Sequence, residues 1–418
     1  MKTVKFTNGS FISGESIIKS DFVIRDGRMD LNFTGPCDET IDISGSYVCP
    51  GFTDIHFHGF KLFDFTMGLM DAASGKFDSS PAAFSQGFDM LSKELARFGV
   101  TSYYLATIAA DIQTLTHCTS QLHSHMSKNN SSGAIAAGAF IEGTFINPAM
   151  CGAQNPSFVH KPSIETFKQI AASSQDAIKL VNITCDCDGS LDLIRYLDKH
   201  GIIVGTGHTA ATGNQIRAAV KAGLKYFVHF LNGPTSHNYK PFDGGAAVET
   251  VLDDDSIYAE QILDGFHINP RYVRDVIKRK GPEKVIGVTD ALYVAGSSIS
   301  QFDLGGILGQ VSPDRTYVSV KDKPNTLCSS VLTMDRAFQN LLNWLTVPMP
   351  GIWNRVHDAL SLPDALAAAS KICSTNPNKL LNNPARADLC VFDLTGAPGS
   401  YSLSVNKAIV SGNIVYSR

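Results

Sequence analysis

The 418-residue chain has no run of about 18 apolar residues, so no segment is long enough to span a bilayer as a helix. Its first residues, Met1-Lys2-Thr3-Val4-Lys5-Phe6, form no apolar core of a secretion signal, so none is expected. Charged residues are only 18%, below the usual share of about 25%. The formal net charge of -4 and the lack of a basic patch argue against a nucleic-acid partner. There is no Gly-x-Ser-x-Gly turn to expose a nucleophilic serine, and no glycine-rich phosphate loop after the first barrel-type strand. The nine cysteines are odd in number and scattered, which suits reduced thiols in a cytoplasmic protein. The one tight pair, Cys185 and Cys187, has no partners at matching spacing for a metal site. With 44% hydrophobic residues, the chain is that of a well-buried globular enzyme.

The two ends read alike. Val4 to Phe6 and Ser20 to Ile24 are short apolar runs beside Asn8-Gly9 and Asp26-Gly27, which are hairpin signals. Ala387 to Asp393, Lys407 to Val410 and Ile414 to Tyr416 repeat the style. Neither end carries enough apolar residues for its own core. Residues 1–50 and 375–418 are therefore expected to form one small β-sandwich domain from both termini, around a catalytic domain of residues 51–374.

The middle alternates strands with helices. Eight β-rich runs stand out: Phe52 to His58, Thr101 to Thr107, Ile135 to Glu142, Ala177 to Ile183, Ile202 to His208, Tyr226 to Phe230, Ile257 to Leu263 and Val285 to Asp290. Helical spacing recurs between them, as in Gly213 to Gly223 and Met90 to Phe98. Alternation of this kind implies parallel strands with right-handed crossovers, and eight units imply a (β/α)8 barrel rather than an open sheet. The segments 66–84, 301–330 and 345–358 read as loops or insertions, with a lid role open to them.

Active sites of such barrels lie at the C-terminal strand ends. His56 and His58 end the first strand, two residues apart and so on one side. Glu142 ends the third, His208 the fifth and Asp290 the eighth, while the sixth carries His229. One strand-end histidine is ordinarily structural, and a strand-end aspartate often caps the next helix. Four histidines, a glutamate and an aspartate converging on one mouth are not so readily explained. Imidazole and carboxylate donors suit Zn²⁺ or Fe²⁺, with Co²⁺ or Mn²⁺ compatible. The implied chemistry is metal-assisted hydrolysis of a C–N bond. A divalent ion lowers the pKa of water to about 7 and polarises a carbonyl. Asp290 takes the water proton and returns it to the leaving nitrogen. Lys179, in the fourth strand, is a second candidate for a bridging ligand, as a carbamate, but Glu142 makes it unnecessary.

Pro50-Gly51-Phe52-Thr53-Asp54-Ile55-His56-Phe57-His58-Gly59 resembles the opening signature of the amidohydrolase superfamily. Four further segments narrow the resemblance to the N-acetylglucosamine-6-phosphate deacetylase family: Ile141 to Pro148 followed by Gly152 to Pro156, Gly207 to Thr212, His229 to Gly233, and Asp264 to His267 with Val288 to Ala291 and Ala295-Gly296 after it. They run in family order over most of the chain. The resemblance implies that Glu142, His208 and His229 hold one metal, that His56 and His58 serve a second, and that Asp290 is catalytic. It implies that Gln154, Asn232, Gly233 and His267 contact substrate, that one or two ions bind per chain, and that the protein is a homodimer. The implied reaction releases acetate from N-acetylglucosamine 6-phosphate. The chain departs from the family at Lys240, where an arginine usually meets the phosphate; lysine offers a point charge and no bidentate fork. That departure keeps open an unphosphorylated or different N-acyl amino sugar. A sugar-binding scaffold without activity is the remaining alternative.

Overall fold

The computed structural model describes residues 2–14, 16–128, 132–232, 240–353 and 355–418. At its centre eight parallel strands follow one another in sequence order. They are β1 (Phe52–Phe57), β2 (Val100–Ala106), β3 (Ile135–Phe145), β4 (Ile178–Ile183), β5 (Ile203–Thr206), β6 (Leu224–Phe227), β7 (Tyr258–Ile262) and β8 (Val285–Val288). The ends of β8 and β1 meet through Asp290, whose N–H donates to His56 O at 2.9 Å, and Thr289, whose hydroxyl donates to Asp54 at 2.5 Å. The sheet is thus a nearly closed barrel, as the strand–helix alternation implies.

Period-two alternation sorts each strand between two cores. Ile55, Tyr104, Phe140, Leu180, Tyr226 and Ile286 fill the barrel interior. Strand neighbours such as Tyr103, Leu105, Ile141, Val181 and Phe227 face the helical layer, where a larger apolar cluster joins Phe84, Leu91, Leu193, Ile216 and Val276 to the sheet. Local signals place the helices. Thr212 caps the helix Gly213–Ala222 in a reciprocal box with Gln215, and Gly223 ends it. The helix expected from Met90 begins earlier, at Pro81, because Ser80 caps it and proline suits its first turn. Gly87 inside that helix is required by packing: a Cβ there would lie 2.1 Å from the Phe63 ring.

A second sheet draws its strands from both chain ends, with Val4–Ser13 at its middle paired to Ser16–Arg25, and Tyr47–Pro50 joined to Leu389–Thr395. It encloses its own core of Phe6, Phe22, Val48, Leu389 and Val391. Asp26-Gly27 and Ser411-Gly412 are two-residue turns with both residues at positive φ. Asn8-Gly9 is not a turn. The strand runs through it with a register shift between Phe6 and Gly9, and Asn8 sits at φ 63°.

The segments read as loops hold more structure than expected. Gln301–Leu304, Ile307–Val311, Val318–Val320 and Lys323–Leu327 form a four-stranded antiparallel sheet. Alternate burial of Phe302 and Leu304 makes it half-buried, and Gly305-Gly306 turns the first hairpin. Gly68–Met70 pairs with Phe77–Asp78, and Met349–Pro350 with Val356–His357. No helix among the described residues is long and apolar enough to cross a membrane.

Candidate metal centre

The barrel mouth gathers the strand-end residues. His56 and His58 leave β1 with side chains 0% and 2% exposed. Glu142 lies in β3, while His208, His229 and Asp290 sit just past β5, β6 and β8. These last three share an unusual backbone: φ is 48° at His208, 30° at His229 and 51° at Asp290. Left-handed conformations at residues with a Cβ are costly and cluster at functional sites. Here hydrogen bonds hold them. His208 O accepts from Asn147 N–H, and Asp290 O accepts from Ser330 N–H. His229 N–H donates to the Glu260 carboxylate at 2.9 Å.

Among the described residues two groups of ligand atoms form, each within 4.8 Å of one another: His56, His58 and Glu142, and Glu142, His208 and His229. Glu142 belongs to both. Its Oε1 lies 3.3 Å from His208 Nε2 and 3.3 Å from His229 Nε2. Asp290 Oδ1 stands 3.1 Å from His58 Nε2 and 3.7 Å from His56 Nε2.

The histidines are oriented as the ligands of a cation would be. Every Nδ1 faces an acceptor outside the cluster: Glu260 for His56, Ala106 O for His58, Met150 O for His208 and Asn232 O for His229. An Nδ1–H aimed at such acceptors leaves the Nε2 lone pair facing inward. His56 Nε2 is buried and has no hydrogen-bond partner among the described residues. A buried nitrogen without a partner beside inward-facing imidazoles and carboxylates is a donor set suited to a divalent cation. The electrostatics agree. Burial disfavours a charged His56, yet Glu260 and Asp290 outweigh it and push its pKa up to about 10. Burial likewise opposes ionisation of Glu142, but its bonds to His208 and His229 hold the carboxyl well below the usual range. Asp290 is also lowered, with burial overcome by His56 and His58. The pocket therefore favours positive charge.

The other expected residues fall unevenly. Gln154, 8% exposed, donates to Glu142 Oε2 at 2.6 Å and accepts from Ala109 N–H at 2.7 Å, so its amide supports the ligand cluster. His267 Nδ1 meets Asp264 Oδ2 at 2.7 Å, which leaves Nε2 for another partner. Asn232 adjoins His229 through its carbonyl. Lys240 is exposed. Gly233 lies outside the described residues. Lys179 is in β4 next to the interior-facing Leu180, so the pleat turns it away from the barrel interior.

Sequence reasoning missed Glu260 and Asp54. Glu260 is a fully buried carboxylate on the interior face of β7. Asp54, in β1, accepts from the Thr289 hydroxyl, and burial pushes its pKa up to about 7. Both carried a signal: an acidic residue inside an otherwise apolar barrel run needs a partner.

No family model matches the chain. Among curated proteins it is 28% identical over 305 residues to N-acetylglucosamine-6-phosphate deacetylase of Lysinibacillus sphaericus, covering 72% of each chain. It is 29% identical over 296 residues to N-acetylgalactosamine-6-phosphate deacetylase of Escherichia coli O157:H7, covering 71% of this chain and 72% of that one. Among solved structures it superposes on N-acetylglucosamine-6-phosphate deacetylase from Pasteurella multocida with a TM-score of 0.81 at 19% identity, over 100% of both chains. That last likeness is one of fold.

Proposed function

We propose that this chain, which belongs to the N-acetylglucosamine-6-phosphate deacetylase family, hydrolyses the acetamide of N-acetylglucosamine 6-phosphate to acetate and glucosamine 6-phosphate. The observation that carries the reading is the convergence of Glu142, His208, His229, His56 and His58 at one barrel mouth, with Asp290 Oδ1 3.1 Å from His58 Nε2. Glu142, His208 and His229 would hold a divalent ion, with zinc or iron the leading choices. His56 and His58 would share Glu142 at a second position. A bound divalent ion lowers the pKa of water and polarises a carbonyl oxygen, which is the chemistry amide hydrolysis needs.

The chain's own residues supply the rest. Asp290 has a depressed pKa, so it is ionised at neutral pH and able to take a proton from the attacking water. As the tetrahedral centre collapses, Asp290 returns that proton to the sugar nitrogen, the C–N bond breaks and acetate leaves. His267, fixed through Nδ1 by Asp264, keeps Nε2 for a sugar hydroxyl or the amide oxygen. Lys240 supplies a point charge for the phosphate. The family resemblance further supports a cytoplasmic homodimer.

The test compares acetate release from N-acetylglucosamine 6-phosphate, its C4 epimer and unphosphorylated N-acetylglucosamine by zinc-reconstituted protein. A kcat/KM at least about 100-fold higher for the phosphate than for the free sugar corresponds to about 2.7 kcal/mol of phosphate recognition. Equal turnover of phosphorylated and free sugar would overturn the phosphate specificity and leave a metal-dependent deacetylase indifferent to the phosphate.

A further inference from the structure

Of the four described histidines at the mouth, three have Nδ1 against a backbone carbonyl, from Ala106, Met150 and Asn232. The fourth does not. His56 Nδ1 lies 2.8 Å from Glu260 Oε1, and both side chains are 0% exposed. The same oxygen accepts the backbone N–H of His229 at 2.9 Å. One carboxylate oxygen on β7 therefore reaches a side chain of the first ligand group and the backbone of the second. His229 is the residue at φ 30°, so its N–H direction is tied to a strained turn. The Glu260 backbone reinforces this from the same strand position, since its carbonyl accepts from Phe230 N–H at 2.6 Å.

We propose that Glu260 is a positioning residue that aims His56 Nε2 into the site and ties that aim to the placement of His229. It touches neither substrate nor the reacting atoms. The proposal rests on the metal-dependent reading given above. A carboxylate behind a ligand imidazole fixes the tautomer and makes the inner nitrogen a better donor than a carbonyl does. Among the four bracing groups it is also the one a substitution can remove. Glu260→Gln keeps the volume and an oxygen for His229 N–H. It replaces the anionic acceptor at His56 with a neutral amide, which leaves the ring free to adopt either tautomer or to rotate. The position formed by His56, His58 and Glu142 should suffer first, and that formed by Glu142, His208 and His229 much less.

The experiment titrates zinc into full-length protein against a competing chelator, for wild type, Glu260→Gln, His56→Ala and the double variant. The expected result is a 10- to 100-fold weaker second zinc in Glu260→Gln, with the first retained. Adding Glu260→Gln to His56→Ala should change little, because the carboxylate acts through that ring. Histidine ¹⁵N spectra of zinc-loaded wild type should show His56 as the Nδ1–H form, a readout that does not depend on any variant folding. Unchanged zinc affinities in Glu260→Gln, a full additive loss in the double variant, or His56 found as the Nε2–H form would each overturn the proposal while leaving metal-dependent hydrolysis standing. Wild type that binds no zinc would overturn the metal reading and this proposal together.

Discussion

Gln154 Nε2 donates to Glu142 Oε2 at 2.6 Å, and this bond fixes the plane of the one carboxylate common to both ligand groups. The other end of the same amide accepts Ala109 N–H at 2.7 Å, so both halves of the side chain are engaged. Gln154→Leu removes the donor and leaves the buried Ala109 N–H unpaired. Metal affinity should fall 10- to 100-fold. Stability should fall by about 1–3 kcal/mol for the orphaned amide. Chelator competition and urea unfolding measure the two effects separately. Wild-type metal affinity in a destabilised variant would limit Gln154 to a structural role.

Asp290→Asn keeps the shape of the mouth and removes the base proposed above. The prediction is a fall in kcat of about 10²–10⁴-fold, with metal at Glu142, His208 and His229 retained. Steady-state kinetics and elemental analysis on the same sample decide it. Near-normal turnover with bound metal would rule out Asp290 as the proton carrier.

Lys240 should act on substrate capture more than on chemistry. Lys240→Ala should raise KM for the 6-phosphate about tenfold or more, with kcat little changed. Lys240→Arg, able to fork around a phosphate, should keep or lower it. An unaltered KM in Lys240→Ala would mean that another cation receives the phosphate.

Stability should also depend on Lys280, far from the mouth. Burial lowers its pKa from 10.5 to about 8, while its amine donates to Val251 O at 2.6 Å and Asp254 O at 2.8 Å. Between those two pKa values the unfolded chain binds more protons at this site than the folded one. The contribution of Lys280 to unfolding free energy therefore rises from pH 8 towards 10.5. Lys280→Met should be less stable than wild type throughout, since two carbonyls lose their donor, and its stability should rise less over that pH range. Parallel pH slopes in urea unfolding would contradict this.

The barrel was readable because parallel strands buried on both faces read as apolar runs, and helices between them carry their own caps, as at Thr212 and Gly223. The residues at the mouth could be named because polar side chains ending such runs are conspicuous. Glu260 was passed over for the opposite reason. It lies within the apolar run of β7, not at its end, and only the pleat register shows that it faces His56. The sheet over 301–327 escaped because its strands are short and its alternation, as in Gln301–Leu304, spans only four residues. Asn8-Gly9 misled because the dipeptide favours positive φ in a bulge as readily as in a turn, and only pairing with Ser16–Arg25 tells the two apart.

The most direct test is a proton NMR time course of zinc-loaded protein with N-acetylglucosamine 6-phosphate. The N-acetyl signal should give way to free acetate in equal amount, with glucosamine 6-phosphate formed and the reaction stopped by a chelator. Folded, zinc-loaded protein that leaves the acetyl signal unchanged would contradict it.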